Sequence, residues 1–227
     1  CGELSMASKQ RDARMSQTNA RPQTCPSCGA TAPPLLRHSK LAVCNYCNST
    51  LFVNDAQVQS AGEKSVLSEI PSILSLGRRF QMSQWTFEPI GRIRYEYGSG
   101  ATAGSGYWDE WWVLLVDGKT RWISNDEGEY VIENTVALQG DPPPYENFVI
   151  GADINLFKQK LRVTELNNAT CIGVEGQLPE IIQAGDLHRY AHLEGSKGVL
   201  ITAEYDEHDV ATFHKGLWVD PFDIKAL

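Results

Sequence analysis

The chain has 227 residues, 42% of them apolar and 21% charged, so it can bury a real core and is not disordered along its length. No apolar run approaches the ~20 residues that span a bilayer as a helix. The net charge of −8 is uneven: residues 1–65 carry 4 acidic and 7 basic side chains, and the rest carry 24 acidic and 13 basic. Such an acidic body argues against broad binding of a phosphate backbone, which needs clustered Lys and Arg.

Residues 1–24 are polar, hold Lys9, Arg11, Arg14 and Arg21, and show no apolar periodicity. They read as a flexible tail. There is no initiator Met. Met6 and Met15 are candidate starts, which would make what precedes them an expression scar; the alternative is a lipidated Cys1. No secretory apolar segment is visible, so the expected compartment is the cytoplasm.

Four of the six cysteines form Cys25-Pro-Ser-Cys28-Gly29 and Cys44-Asn-Tyr-Cys47-Asn48, with 15 residues between the pairs. This spacing belongs to zinc sites. Two residues between cysteines let one tight turn aim both sulfurs at one ion. The residue after each second cysteine then needs a left-handed backbone, which Gly29 adopts freely and Asn48 tolerates. Cys25, Cys28, Cys44 and Cys47 are therefore the metal ligands of a zinc ribbon over 25–53. Four thiolates close the coordination shell and leave no place for a catalytic water, so the zinc is structural. A disulfide pair would need an oxidising compartment, and an iron site has similar turns. His38 lies between the pairs as a surface residue, and Cys171 reads as a buried, inert thiol.

Residues 54–70 read as a linker with a short helix ending before Pro71. From there strand patterns dominate, at 78–82, 85–90, 92–97, 107–116, 119–124 and 129–133. Asp117-Gly118 between Trp111–Val116 and Lys119–Ile123 marks a hairpin. The Gly/Ser/Ala run 98–106 is a loop between strands. It is not a phosphate cradle, because a strand pattern follows it rather than a helix.

Asp141-Pro-Pro-Pro144 marks a boundary, after which the pattern restarts. Leu76-Gly77…Phe80…Met82 matches Ile150-Gly151…Ile154…Leu156 at a shift of 74 residues, and Phe87 and Pro89 meet Leu161 and Val163. Further strands fall at 153–157, 160–166, 169–175, 186–192, 198–205 and 211–219. The expected fold is mostly β: a zinc ribbon, then two related small β-barrel or sheet units at 71–144 and 145–227.

Candidate acids are Asp109, Glu110, Glu127, Glu129, Glu175 and Glu180. Glu110, flanked by Trp108 and Trp111, is the best placed for a raised pKa. The competing reading pairs it with Arg121 or Arg94 across the sheet. His188 and His192 are spaced i, i+4 but lack the companion residues of a metal motif. No nucleophile motif is present. Trp111 and Trp112 point to opposite faces of a strand. One is then core; the other is either a surface anchor or covered by a neighbouring unit. Trp108, Glu110, Trp111 and Trp112 form the candidate partner-binding set.

The run Trp108-Asp-Glu-Trp-Trp-Val-Leu114, then Gly118, Arg121-Trp-Ile123 and Gly128-Glu-Tyr130, resembles the bacterial domain-of-unknown-function family 4178. Ala169 to Pro179, with Glu175-Gly-Gln-Leu-Pro179, resembles that family's later copy of its motif. The resemblance covers about 70–225 and leaves the ribbon outside. It implies an accessory protein associated with polyamine-synthesis enzymes and membrane-stress systems, and no reaction. The leading expectation is a non-catalytic adaptor with a protein partner. The alternatives are weak nucleic-acid binding through Arg37, His38 and Lys40 of the ribbon, and an enzyme acting on a cationic or amine substrate in an acidic pocket.

Overall fold

The computed structural model describes residues 23–54, 57–98 and 106–227. Residues 1–22 of the predicted tail and 99–105 of the Gly/Ser/Ala loop lie outside them. The regular structure within the described residues is strand, with three single-turn 3-10 helices. The ribbon contains β1 (Leu41–Val43), β2 (Ser49–Asn54) and β3 (Gln57–Lys64). The first half of the body contains β4 (Phe80–Met82), β5 (Trp85–Tyr97), β6 (Gly106–Leu115), β7 (Thr120–Asp126) and β8 (Glu129–Val136). The second half contains β9 (Asp153–Leu156), β10 (Gln159–Leu178), β11 (Leu187–Glu194), β12 (Val199–Tyr205) and β13 (Ala211–Val219), and β14 (Ile224–Ala226) ends the chain.

Every pairing is antiparallel, and eight strands follow one another around a ring: β5, β6, β7, β8, β13, β12, β11, β10 and back to β5. The two related units are thus two meanders joined edge to edge, at the β8–β13 and β5–β10 seams. Closure falls to β10. Its first part pairs with β11 and its second with β5, and only Ala169 and Thr170 face both.

The 74-residue repeat is visible in the first hairpin of each half. Gly77 N–H donates to Pro89 O at 2.9 Å, and Gly151 N–H donates to Val163 O at 2.8 Å. Gly77 and Gly151 both have positive φ, as do Ser83 and Phe157 at the next equivalent turn. In each half a short strand (β4, β9) folds back on the long strand that follows it.

The alternation of strand side chains divides each half into two faces. The outer face of the first half packs Phe87, Trp111, Val113 and Ile123 against Phe80 and Met82 of β4 and Ile224 of β14. That of the second half packs Leu161, Leu193, Ile201 and Phe213 against Leu156 of β9 and Phe148. The inner faces meet inside the ring. At one end Tyr95, Trp112, Leu114, Trp122, Val174 and Leu178 share a cluster with Leu36, Leu41 and Val43 of the ribbon.

Three expectations change. Strands 85–90 and 92–97 are one strand, bulged between Pro89 and Gly91, and 160–166 and 169–175 are one strand bulged twice. At Gly91 the bulge absorbs an extra residue without ending the ladder, and at Asn167 and Asn168 regular pairing to Tyr190 and Arg189 carries the strand straight through. Residues 57–64, placed in the linker, are a strand paired to β2, so the ribbon runs to Lys64. This edge strand is mostly exposed and so carries little apolar alternation. No helix forms in the described part of 54–70. Ser65 Oγ instead donates to Val174 O and accepts from Val174 N–H, and Ser68 O accepts from Arg94.

At the β5–β10 seam the backbones are too close for side chains. A Cβ on Gly91 would lie 1.8 Å from Gln177 O, and one on Gly176, which has positive φ, 2.3 Å from Ile90 O. Gly91→Ala should therefore force the seam apart and cost about 3 kcal/mol, the upper part of the overpacking range. Chemical denaturation compared with wild type measures it; an unchanged midpoint would show that the seam is not tight.

Candidate functional site

Two sites emerge, one in the ribbon and one inside the ring. In the ribbon the two knuckles are copies of each other. Gly29 N–H donates to Cys25 O and Cys25 N–H to Ala30 O; Asn48 N–H donates to Cys44 O and Cys44 N–H to Ser49 O. Gly29 and Asn48 are left-handed, at φ 76° and 58°. The sulfurs of Cys25, Cys28, Cys44 and Cys47 all lie within 4.8 Å of one another. Cys25–Cys47 and Cys28–Cys44 are each 3.8 Å apart. Four sulfurs at ~2.3 Å from a tetrahedral zinc would stand about 3.8 Å from one another, so the donor set fits that ion. Among the described residues this is the one group of side chains that could hold a metal.

The ribbon is fused to the ring. Leu41 and Ala42 of β1 pair with Leu178 and Gln177 at the end of β10. Gln177 Oε1 accepts from Leu36 N–H and Ser39 Oγ, and its Nε2 donates to Pro34 O, all at 2.9 Å. Arg37, His38 and Lys40 lie beside this seam. With Val53, Pro179 and Ile181 they line an open groove of about 740 Å³.

The second site is the lumen. It is a cavity of about 140 Å³ walled by Trp108, Glu110, Asp126, Glu129, Glu133, Glu165, His188, Tyr190, His192, Thr202, Glu204 and Trp218, among others. Strand register explains the gathering: Glu110 faces Ser124, Trp108 faces Asp126, His192 faces Glu165 and Tyr190 faces Glu204. Trp108 stacks on Tyr95 at 4.9 Å and meets Tyr190 edge-on at 5.3 Å. Its indole N–H donates to Glu110 Oε1 at 3.1 Å. Tyr190 O–H donates to Glu165, which also holds His192 Nδ1 at 3.0 Å. Thr202 O–H donates to the buried Glu133.

Burial, with Glu204 nearby, holds the Glu110 carboxyl well above the usual range, against the pull of His214 and the Trp108 N–H. Glu204 is pushed up to about 8 by burial and by Glu180 and Glu133. Burial and the neighbouring Glu127 and Glu165 raise Asp126 to about 6. The hydrogen bonds from His192 and Tyr190 hold Glu165 low. His188 falls to about 4, because burial disfavours the imidazolium.

The predicted residues divide by face. Trp108 and Glu110 line the lumen, and Glu129 joins them there. Trp111 and Trp112 do face opposite ways, but each is 2% exposed. Trp111 lies under β4 and β14, and Trp112 under the ribbon-facing core. Neither reaches the surface to anchor a partner. Arg94 pairs with Asp109 through two hydrogen bonds of 2.7 and 2.8 Å, not with Glu110, which points the other way. Arg92 joins Asp109 to Glu175 and lies over the Trp111 ring. Asp109 is thus the buried centre of an ion cluster on the outer face, with Glu175 half-buried at its edge. Glu127 sits in the β7–β8 turn with positive φ, and Glu180 just beyond β10. His188 and His192 lie on strand β11, four apart and hence on one face. Burial raises the Cys171 thiol to about 12, which leaves it inert. Sequence reasoning missed Asp126, Glu133, Glu165 and Glu204. Their alternation was readable strand by strand, but which face closes into a lumen depends on the ring.

A family model described as a domain of unknown function (DUF4178) matches residues 75–221. No curated protein and no solved structure matches the chain. No helix among the described residues is long and apolar enough to cross a membrane.

The raised acids have a consequence for stability. The folded state keeps a proton on Glu204 that the unfolded chain, with a carboxyl near 4.5, has released. That stabilisation is complete below about pH 4.5 and is lost as pH rises through about 8. His188, held low, acts only below about pH 6.5. The melting temperature should therefore fall between pH 6.5 and 8.5, and Glu204→Gln should flatten much of that fall. Parallel slopes for the two proteins would contradict the assignment.

Proposed function

The chain belongs to the DUF4178 family of domains of unknown function, and from that premise we propose that it is a non-catalytic accessory protein that holds one structural zinc and docks to a protein partner through its ribbon. The fusion of the ribbon to the ring supports this reading most directly. Backbone pairing at Leu178 and three hydrogen bonds to Gln177 hold the ribbon in one orientation, as a docking module must be held. Zinc bound by Cys25, Cys28, Cys44 and Cys47 supplies the stability that so small a module cannot draw from its own core. A closed thiolate shell leaves that ion no chemistry beyond folding.

The docking face is the groove beside the seam. Arg37, His38 and Lys40 bring positive charge to it, while Pro179 and Ile181 add apolar surface. This combination suits an acidic segment with apolar side chains, and the charge of the rest of the body would repel such a segment elsewhere. A nucleic acid is the second reading, since the same cations could meet phosphates. Two firm charges give little affinity and a shallow salt dependence.

Two measurements test this. Elemental analysis should find one zinc per chain. Its removal by a chelator, or Cys44→Ala, should lower the melting temperature by about 10 °C or more, since structural zinc in such modules is worth many kcal/mol. A metal-free protein of unchanged stability would remove the zinc reading. Arg37→Glu combined with Lys40→Glu should abolish capture of the partner by the full chain at unchanged melting temperature. Capture that survives the charge reversal would place docking elsewhere, and a gel shift at low salt lost in the same variant would favour nucleic acid.

A further inference from the structure

We propose that the lumen of the ring is a binding site for a compact organic cation, an ammonium of about six non-hydrogen atoms. This rests on the ring alone and is independent of the docking role of the ribbon.

Size comes first. The cavity is about 140 Å³, close to the roughly 150 Å³ of an engineered protein cavity that takes benzene. A ligand of that bulk fits and a nucleotide does not.

The lining sets the charge. Glu110, Asp126, Glu129, Glu133, Glu165 and Glu204 face the cavity, and no Lys or Arg is among the described residues that line it. The same strands carry Trp111, Val113, Ile123, Leu193, Ile201 and Phe213 on their outer faces. A ring interior that served only as core would carry the same kind of side chain. Glu133 is buried, Glu110, Glu165 and Glu204 are half-buried, and Asp126 and Glu129 are exposed; carboxyl groups gathered this way ionise together only at a cost, which a cation among them relieves. Imidazoles offset only part of this: His192 is taken up by Glu165, and His214 approaches Glu204 at 3.7 Å.

The aromatic walls favour an organic cation over a bare metal ion. Trp108, Tyr190 and Trp218 line the cavity, and ring faces attract ammonium groups. A carboxylate-only cage for a metal would need ligand atoms brought together, and among the described residues only the four cysteines are so placed. His188 adds a separate sign of a missing partner. Its ring is enclosed by Tyr95, Trp108 and Tyr190, and its Nε2 is sealed from solvent with no hydrogen bond. Buried polar atoms are seldom left this way unless something else satisfies them. Trp218 lines the cavity, is paired with Val131 of the same wall and is 44% exposed, so it stands at the mouth and marks a way in.

The experiment is calorimetric titration of the full chain at pH 8 with n-butylammonium, with tetramethylammonium as a cation that cannot lose its charge, and with butan-1-ol and butyrate as neutral and anionic counterparts. At least one of the two cations should bind, at least tenfold tighter than butan-1-ol, and butyrate should not bind. Glu133→Gln with Glu204→Gln should weaken the cation at least tenfold and leave butan-1-ol unaffected. If that pair fails to fold, Trp218→Leu at the edge of the cavity should weaken the cation at least threefold. No binding of either cation at millimolar concentration would overturn the proposal. So would equal affinity for butan-1-ol, or cation binding unchanged in the variants.

Discussion

Strand β10 must satisfy the backbone of four neighbours, and the architecture follows from how it does so. Over its twenty residues it pairs in turn with β9, β11, β5 and β1. An unpaired buried backbone group is expensive, so a strand this long is stable only if each stretch meets a partner. The first stretch builds the second meander, the next closes the ring, and the last carries the ribbon. Gly91 and Gly176 set the terms of closure, because any side chain at either would collide with the opposite backbone. Bulges between Val163 and Glu165 and between Cys171 and Gly173 let the strand change partners without losing its inner and outer faces.

Closure also gives the two faces of each strand opposite environments. Outward side chains are covered by β4, β14 and β9 and by the connecting segments. Tyr145, in the connector after the triple proline, hydrogen-bonds Asn167 O and Tyr190 O and lies under Arg189. Inward side chains share one small space, closed at Glu133 and open to solvent at Asp126, Glu129 and Trp218. The raised carboxyls of Glu110 and Glu204 and the lowered imidazole of His188 arise from that confinement, whereas Glu165 is held low against it by the hydrogen bonds from His192 and Tyr190. The ribbon caps the apolar end of the ring, and the charged end lies away from it.

What the sequence discloses divides along the same line. The cysteine knuckles were legible down to the left-handed Gly29 and Asn48, because a two-residue turn is a local object. The Asp117-Gly118 hairpin and the 74-residue repeat were legible for the same reason. Strand β3 was not, because an exposed edge strand needs no apolar alternation. The unity of β10 was not, because Asn167-Asn168 looks like a turn and only distant partners hold it extended. Tryptophans 111 and 112 invited a surface role that the coverings on both faces exclude. The lumen was half legible: Glu110 beside Trp108 drew attention, yet Glu133, Glu165 and Glu204 lie on strands far apart in sequence, and only the ring brings them to it.

The strand order of the ring, with antiparallel seams of β5 with β10 and of β8 with β13, is the order that two copies of one four-stranded meander joined edge to edge would give. A single meander of half this length could close the same ring with a second copy of itself, giving a homodimer with its pocket on the symmetry axis. In one continuous chain each copy is free to diverge. Here only the later half is extended to carry a ribbon, so an ancestral ring with two equivalent ends would have acquired a stopper at one and kept a doorway at the other.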